Sequence, residues 1–89
     1  MGDDPIAEVE AAFDAAGRAC RNLLIREPLS HAQVKKLTQW LYGCMNQRYT
    51  IRRRVGERGA AELAKALKFV EGACRSVLEI EAQLDDRPC

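Results

Sequence analysis

Histidine occurs once, at His31, and the four cysteines Cys20, Cys44, Cys74 and Cys89 show no C-x-x-C spacing. A structural zinc needs about four thiolate or imidazole ligands at short spacings, so no metal site is expected. The thiols read instead as small apolar side chains, reduced and buried. No glycine-rich phosphate loop is present, and His31 has no evident nucleophile. No catalytic set and no cofactor are therefore expected. No stretch approaches the roughly 20 apolar residues of a membrane span. The opening Met1-Gly2-Asp3-Asp4-Pro5 is acidic where a signal peptide is basic. Ile6 stands where myristoylation wants Ser or Thr, and Cys89 lacks the three residues that follow a prenylated cysteine. The expectation is a cytoplasmic protein with no membrane partner. Period-two alternation, internal repeats and low-complexity tracts are also missing, which excludes a sheet or a solenoid.

What is present is helical. Hydrophobic residues make up 47% of the 89 and charged residues 30%, values of an ordinary globular chain rather than a disordered one. The length suits one domain, 1–89. Asp4 reads as a helix N-cap and Pro5 as the first helical residue. Ile6, Val9, Phe13, Ala16, Cys20 and Leu23 then form one apolar stripe, flanked by Ala12, Ala15 and Ala19, before Pro28 ends the helix. Ser30 and Gln33 spell a capping box, with Leu29 positioned to pack on Val34 as a staple. The second stripe is Val34, Leu37, Leu41, Cys44, Met45, Ile51 and Val55, with Gly56 and Gly59 as the break. The third is Leu63, Ala66, Leu67, Val70, Ala73, Cys74, Val77, Ile80 and Leu84, and residues 85–89 read as a frayed tail. The expected fold is all-α, an antiparallel three-helix bundle over about 5–27, 31–55 and 60–84. With the second turn near residue 58, Gly43 and Gly72 fall at one height, where they would let backbones approach. Cys44 and Cys74 should then be the closest cysteine pair.

Charge is unevenly placed. Residues 31–68 carry nine basic side chains against two acids, whereas both flanking segments are net acidic, for a total of +1. One reading is a nucleic-acid surface built on Arg52, Arg53, Arg54 and Arg58. The other is intramolecular. Antiparallel packing brings Asp3, Asp4, Glu8, Glu10 and Asp14 beside the basic end of helix 2. It brings Glu79, Glu81, Asp85 and Asp86 beside His31, Lys35 and Lys36. Trp40 lies on one flank of the second stripe, Tyr42 and Tyr49 on the other, where they either widen the packed face or form a binding hot spot beside arginines. The candidate partner-binding set is Arg48, Arg52, Arg53, Arg54, Arg58, Tyr42 and Tyr49.

Val34, Leu37, Leu41, Met45, Arg48, Ile51, Val55 and Gly56 resemble the first helix of the all-helical chorismate mutases, in which Val-Gly follows an arginine at this spacing. That resemblance implies a cationic pocket for a dicarboxylate. The sequence departs from the pattern at His31, where an arginine is expected, and at Gly59, where a lysine is. It also lacks the Arg-Glu pair of a further helix, so the groups that would stabilise the transition state are missing and an enzyme is not expected. Leu29-Ser30-His31-Ala32-Gln33-Val34 and Glu71-Gly72-Ala73-Cys74-Arg75 resemble segments of small helical phage anti-CRISPR proteins, which implies an inhibitor that occludes a larger machine. The leading expectation is a non-catalytic helical protein that binds another protein, as inhibitor, antiactivator, chaperone or adaptor. The alternative is a nucleic-acid-binding module using the basic end of helix 2, and a homodimer is left open.

Overall fold

The structure, a computed structural model, describes residues 4–26 and 28–85. Helix α1 spans Pro5–Arg26, α2 His31–Arg58 and α3 Ala61–Asp85. Asp4 caps α1: its Oδ1 accepts the Ile6 N–H at 3.0 Å and its carbonyl accepts the Glu8 N–H at 3.1 Å. A backbone hydrogen bond from Ala7, helped by the Arg52 guanidinium, holds this carboxyl below the usual aspartate range. Position 27, the expected end of α1, lies outside the described residues. The capping box of α2 is reciprocal, with the Gln33 N–H on Ser30 Oγ at 3.2 Å and the Ser30 N–H on Gln33 Oε1 at 3.0 Å.

The end of α2 departs from expectation. The helix passes through Gly56 and stops only at Gly59, whose φ of 83° reverses the chain while its N–H donates to the Val55 carbonyl at 2.9 Å. A glycine inside a helix costs about 1 kcal/mol, too little to end a helix held at that point by its neighbours. Asp85, expected in the tail, is the last helical residue of α3, and 86–89 lie outside the described residues.

All three helix pairs are in contact. Lys36 meets Glu79, and Arg54 meets Glu62, so α3 runs antiparallel to α2. Arg52 meets Asp4 while Gly17 lies against Leu41 and Cys44, so α1 is antiparallel to α2 as well. The α1 stripe is buried as its periodicity predicts, at Val9, Phe13, Ala16, Cys20 and Leu23. In α2 the buried positions narrow to Leu37, Cys44 and Ile51, each seven residues apart, with Leu41 and Val55 half-buried. Val34 and Met45, expected inside, are exposed. In α3 the core takes Ala66, Ala73, Val77 and Ile80, while Leu67 and Cys74 face solvent. Each helix of a three-helix bundle has two neighbours and one free side, so stripes as wide as those expected on α2 and α3 cannot all be covered. Alanines at 66 and 73 bring α3 close to the axis and rotate the larger residues of its far flank outward.

The spaces left at Gly43 and Gly72 hold rings rather than backbone. A Cβ on Gly43 would collide with Phe69 Cζ; one on Gly72 would meet Trp40 Cη2 at 2.8 Å. Trp40 and Phe69 meet edge to face, centroids 4.8 Å apart at 61°, and Phe13 of α1 reaches the same Phe69 at 6.2 Å. Cys20, Cys44 and Cys74 are free thiols, the first two buried. Burial pushes the Cys44 thiol up to about 11, with Cys20 the stronger thiol neighbour and Cys74 the weaker.

Three outcomes are expected. Gly43→Ala and Gly72→Ala should lower the urea midpoint, since forcing a methyl into a ring costs about 1–3 kcal/mol and outweighs the helix-propensity gain. Gly56→Ala, with nothing within 4 Å of its Cβ, should raise stability by about 0.5–1 kcal/mol. Alkaline pH should act through Cys44. Its folded value lies above the ordinary 9.0, so the stability held by the neutral thiol is complete below pH 9 and is lost as pH rises toward 11. A denaturant series from pH 8 to 11 should show a steeper loss for the native chain than for Cys44→Ala.

Candidate functional site

Most of the basic segment is engaged with the molecule's own acids. Arg52 reaches Glu10 at 2.9 Å and Asp4 at 3.3 Å, and those two carboxylates raise its guanidinium further. Glu62, only 5% exposed at the start of α3, gathers Arg54 and Arg58 at 3.9 Å and Lys65 at 3.7 Å. Arg54 also donates to Gln47 Oε1 at 2.9 Å, while its buried Nε makes no hydrogen bond. At the opposite end Lys36 pairs with Glu79 at 3.7 Å and Arg26 with Glu81 at 3.8 Å, and Gln33 Nε2 donates to Gln83 Oε1 at 2.8 Å. Opposite charges therefore meet at both ends of the bundle, as antiparallel packing requires. Each exposed pair contributes about 0–1 kcal/mol. Arg53 is exposed and takes part in no ion pair among the described residues.

The sequence candidates thus divide. Arg52, Arg54 and Arg58 serve the bundle ends and Arg53 stands apart, whereas Arg48, Tyr42 and Tyr49 come together on an open groove between α1 and α2 with a volume of about 540 Å³. Its floor is Phe13, Gly17, Leu41 and Cys44. Gly17 makes the groove: without a side chain on the α1 flank that faces α2, the floor lies at backbone depth. The α2 wall is Tyr42, Met45 and Tyr49, at steps of three and four, so the three stack on successive turns of one face. They are 60%, 44% and 77% exposed. Trp40, on the other flank of the same helix, is packed in the core against Gly72 and Phe69.

Cations line the groove. Arg18 and Arg21 come from α1 and Arg48 from α2. Among the described residues a single acid, Asp14, sits with them, 3.1 Å from Arg18 and 3.5 Å from Arg48. Arg21 has no ion pair among the described residues. Three guanidinium groups around one carboxylate leave the groove net positive over an apolar floor. Such a surface takes apolar side chains while guanidinium groups bind carboxylates at its edge. Arg18, Arg21, Met45 and Gly17 were not legible as a site, because they are spread over two helices whose rotation about their axes the sequence leaves open. The one available signal was the pair Arg18 and Arg21 on a helix otherwise acidic over its first half.

Among the described residues no group of three or more His, Cys, Asp or Glu stands together as a metal site, and no helix is long and apolar enough to cross a membrane. No family model matches the chain, and neither any curated protein nor any solved structure matches it.

The wall and the floor should separate under mutation. Tyr42→Ala and Tyr49→Ala should move the unfolding midpoint by less than about 0.5 kcal/mol each, as exposed substitutions do. Phe13→Ala, which empties a position 1% exposed, should cost about 3–5 kcal/mol in the same denaturant melt.

Proposed function

We propose that this chain is a non-catalytic protein-binding module whose docking surface is the α1–α2 groove. The partner is a protein segment, best an amphipathic helix, that lays apolar side chains on the groove floor and carries carboxylates at its margins. One observation carries this reading: Tyr42, Met45 and Tyr49 stand exposed on successive turns beside Arg18, Arg21 and Arg48. A large apolar side chain left in water loses about 1.5–3 kcal/mol of burial free energy, and a stripe of them on one face is what a partner covers. Tyr and Arg give large contact area with few rotors, and Met adapts to irregular surfaces. The helix-in-groove mode reads a partner through side chains at three- and four-residue spacing, which is the spacing of this wall. Within this class the chain acts as an inhibitor, antiactivator, chaperone or adaptor, each of which works by covering a surface. Binding nucleic acid through the basic end of α2 is the weaker reading, because Arg52, Arg54 and Arg58 already have carboxylate partners in the monomer.

The test is affinity capture from the native host, followed by titration with the purified partner. Tyr42→Ala with Tyr49→Ala, and Arg48→Glu, should each weaken that complex at least about tenfold. Arg53→Glu should leave it within about twofold, as exposed charges outside an interface do. A complex unaffected by both groove variants rules the groove out. Steep, salt-dependent binding of random duplex or single-stranded oligonucleotides, abolished by Arg53→Glu, would establish the nucleic-acid reading instead.

A further inference from the structure

On α3, Leu67, Glu71, Cys74 and Leu78 follow at steps of four, three and four, which places them in one stripe over three turns. All four face solvent, Leu67 at 48% and Leu78 at 65% exposure. None of them lines the α1–α2 groove. Glu71 and its neighbour Arg75 take part in no ion pair among the described residues, whereas Glu62, Lys65, Glu79 and Glu81 of the same helix do.

We infer that this stripe is a self-association surface, on which α3 packs antiparallel against α3 of a second copy about a two-fold axis near residues 72 and 73. The argument is self-complementarity. A two-fold interface uses one patch twice, so every residue on it must suit what the symmetry places opposite. Antiparallel pairing about that centre sets Leu67 against Leu78 of the second copy, and Glu71 against the Cys74–Arg75 step. Each contact occurs twice. Parallel pairing would instead set Glu71 on Glu71 and Arg75 on Arg75, like charge on like, which disfavours it. Alternate steps of three and four are also the spacing at which two helices interlock side chains along a shared seam. One helix face lies at the small end of specific interfaces, so the dimer forms reversibly and with protein concentration. This surface lies outside the groove, and the inference does not rest on the function proposed for it.

Sedimentation velocity across a concentration series tests it. The native chain should pass from monomer to dimer. Glu71→Arg turns two attractive contacts into two repulsive ones and should raise the dissociation constant at least about tenfold. Adding Arg75→Glu to that variant exchanges the charges and should restore association to within about threefold of the native value, on the same principle. Helix axes about 8–10 Å apart leave two Cys74 residues roughly 4.5 Å apart along the axis. A short bismaleimide should therefore link Cys74 to Cys74 in a Cys89→Ser background, and Cys74→Ser should abolish the product. The crosslink reads the unaltered α3 face and stands even if a charge variant fails to fold. A chain that stays monomeric up to its solubility limit overturns the inference. So does a dimer that ignores the charge exchange and gives no Cys74 crosslink.

Discussion

Trp40 fills the space a side chain would need at Gly72, Phe69 fills the space at Gly43, and the register of α2 on α3 follows from that exchange. Sliding either helix by one turn, about 5.4 Å, would drive both rings into positions that carry side chains. The rings also touch each other edge to face, and Phe13 brings α1 onto the same cluster. Aromatic burial of this kind outweighs the surface ion pairs, which contribute at most about 1 kcal/mol each. Lys36–Glu79 and Arg54–Glu62 thus report a register that the core has set. Two glycines, each costing helix propensity, are tolerated because the alternative at both positions is a collision.

Much of this architecture was legible in the sequence, and most of what was not has a common cause. Asp4-Pro5 and the Ser30–Gln33 box marked two helix starts because capping is local chemistry between residues two or three apart. The acidic flanks and basic middle foretold which ends would meet, and Arg52–Asp4 and Lys36–Glu79 do meet. Rotation about the helix axes was not legible. Periodicity gives a stripe, but its width in α2 and α3 exceeded what two neighbours can cover. Nothing local told Leu67 and Cys74 from Ala66 and Ala73, or Met45 from Cys44. The deciding factor is side-chain size at the point of closest approach, a property of pairs of helices. The same limit hid the groove, since Gly17 and Arg21 gain meaning only beside Met45 and Tyr49. Glu62 was missed for another reason: a carboxylate amid an apolar run reads as solvent-facing until three cations are seen around it.

The intramolecular pairing changes how the charge of this protein should be read. A run of three arginines at 52–54 looks like a footprint for a polyanion, yet Arg52 and Arg54 lean on the molecule's own carboxylates. Their field beyond the surface is correspondingly reduced. The cations that remain available are set by geometry instead. Arg21 has no ion pair among the described residues, while Arg18 and Arg48 share Asp14, so two positive charges compete for one acid beside an apolar floor. A carboxylate from outside relieves that competition. Local charge excess in a concave apolar setting, rather than the density of basic residues along the chain, is what marks the proposed binding face.

The two proposed surfaces make separate demands on the fold. The groove belongs to α1 and α2, and the self-association stripe to α3, so occupying one leaves the other open. A two-fold dimer built on α3 carries two grooves in a fixed relation, because the same aromatic contacts that set α2 on α3 also fix each groove relative to its stripe. Binding to a partner with two suitable segments would then gain from effective concentration, and modest affinity at each groove would suffice. A small bundle that binds through one modest groove per chain reaches tight binding most readily in this way, since enlarging the groove would remove side chains that the three helices need for their core.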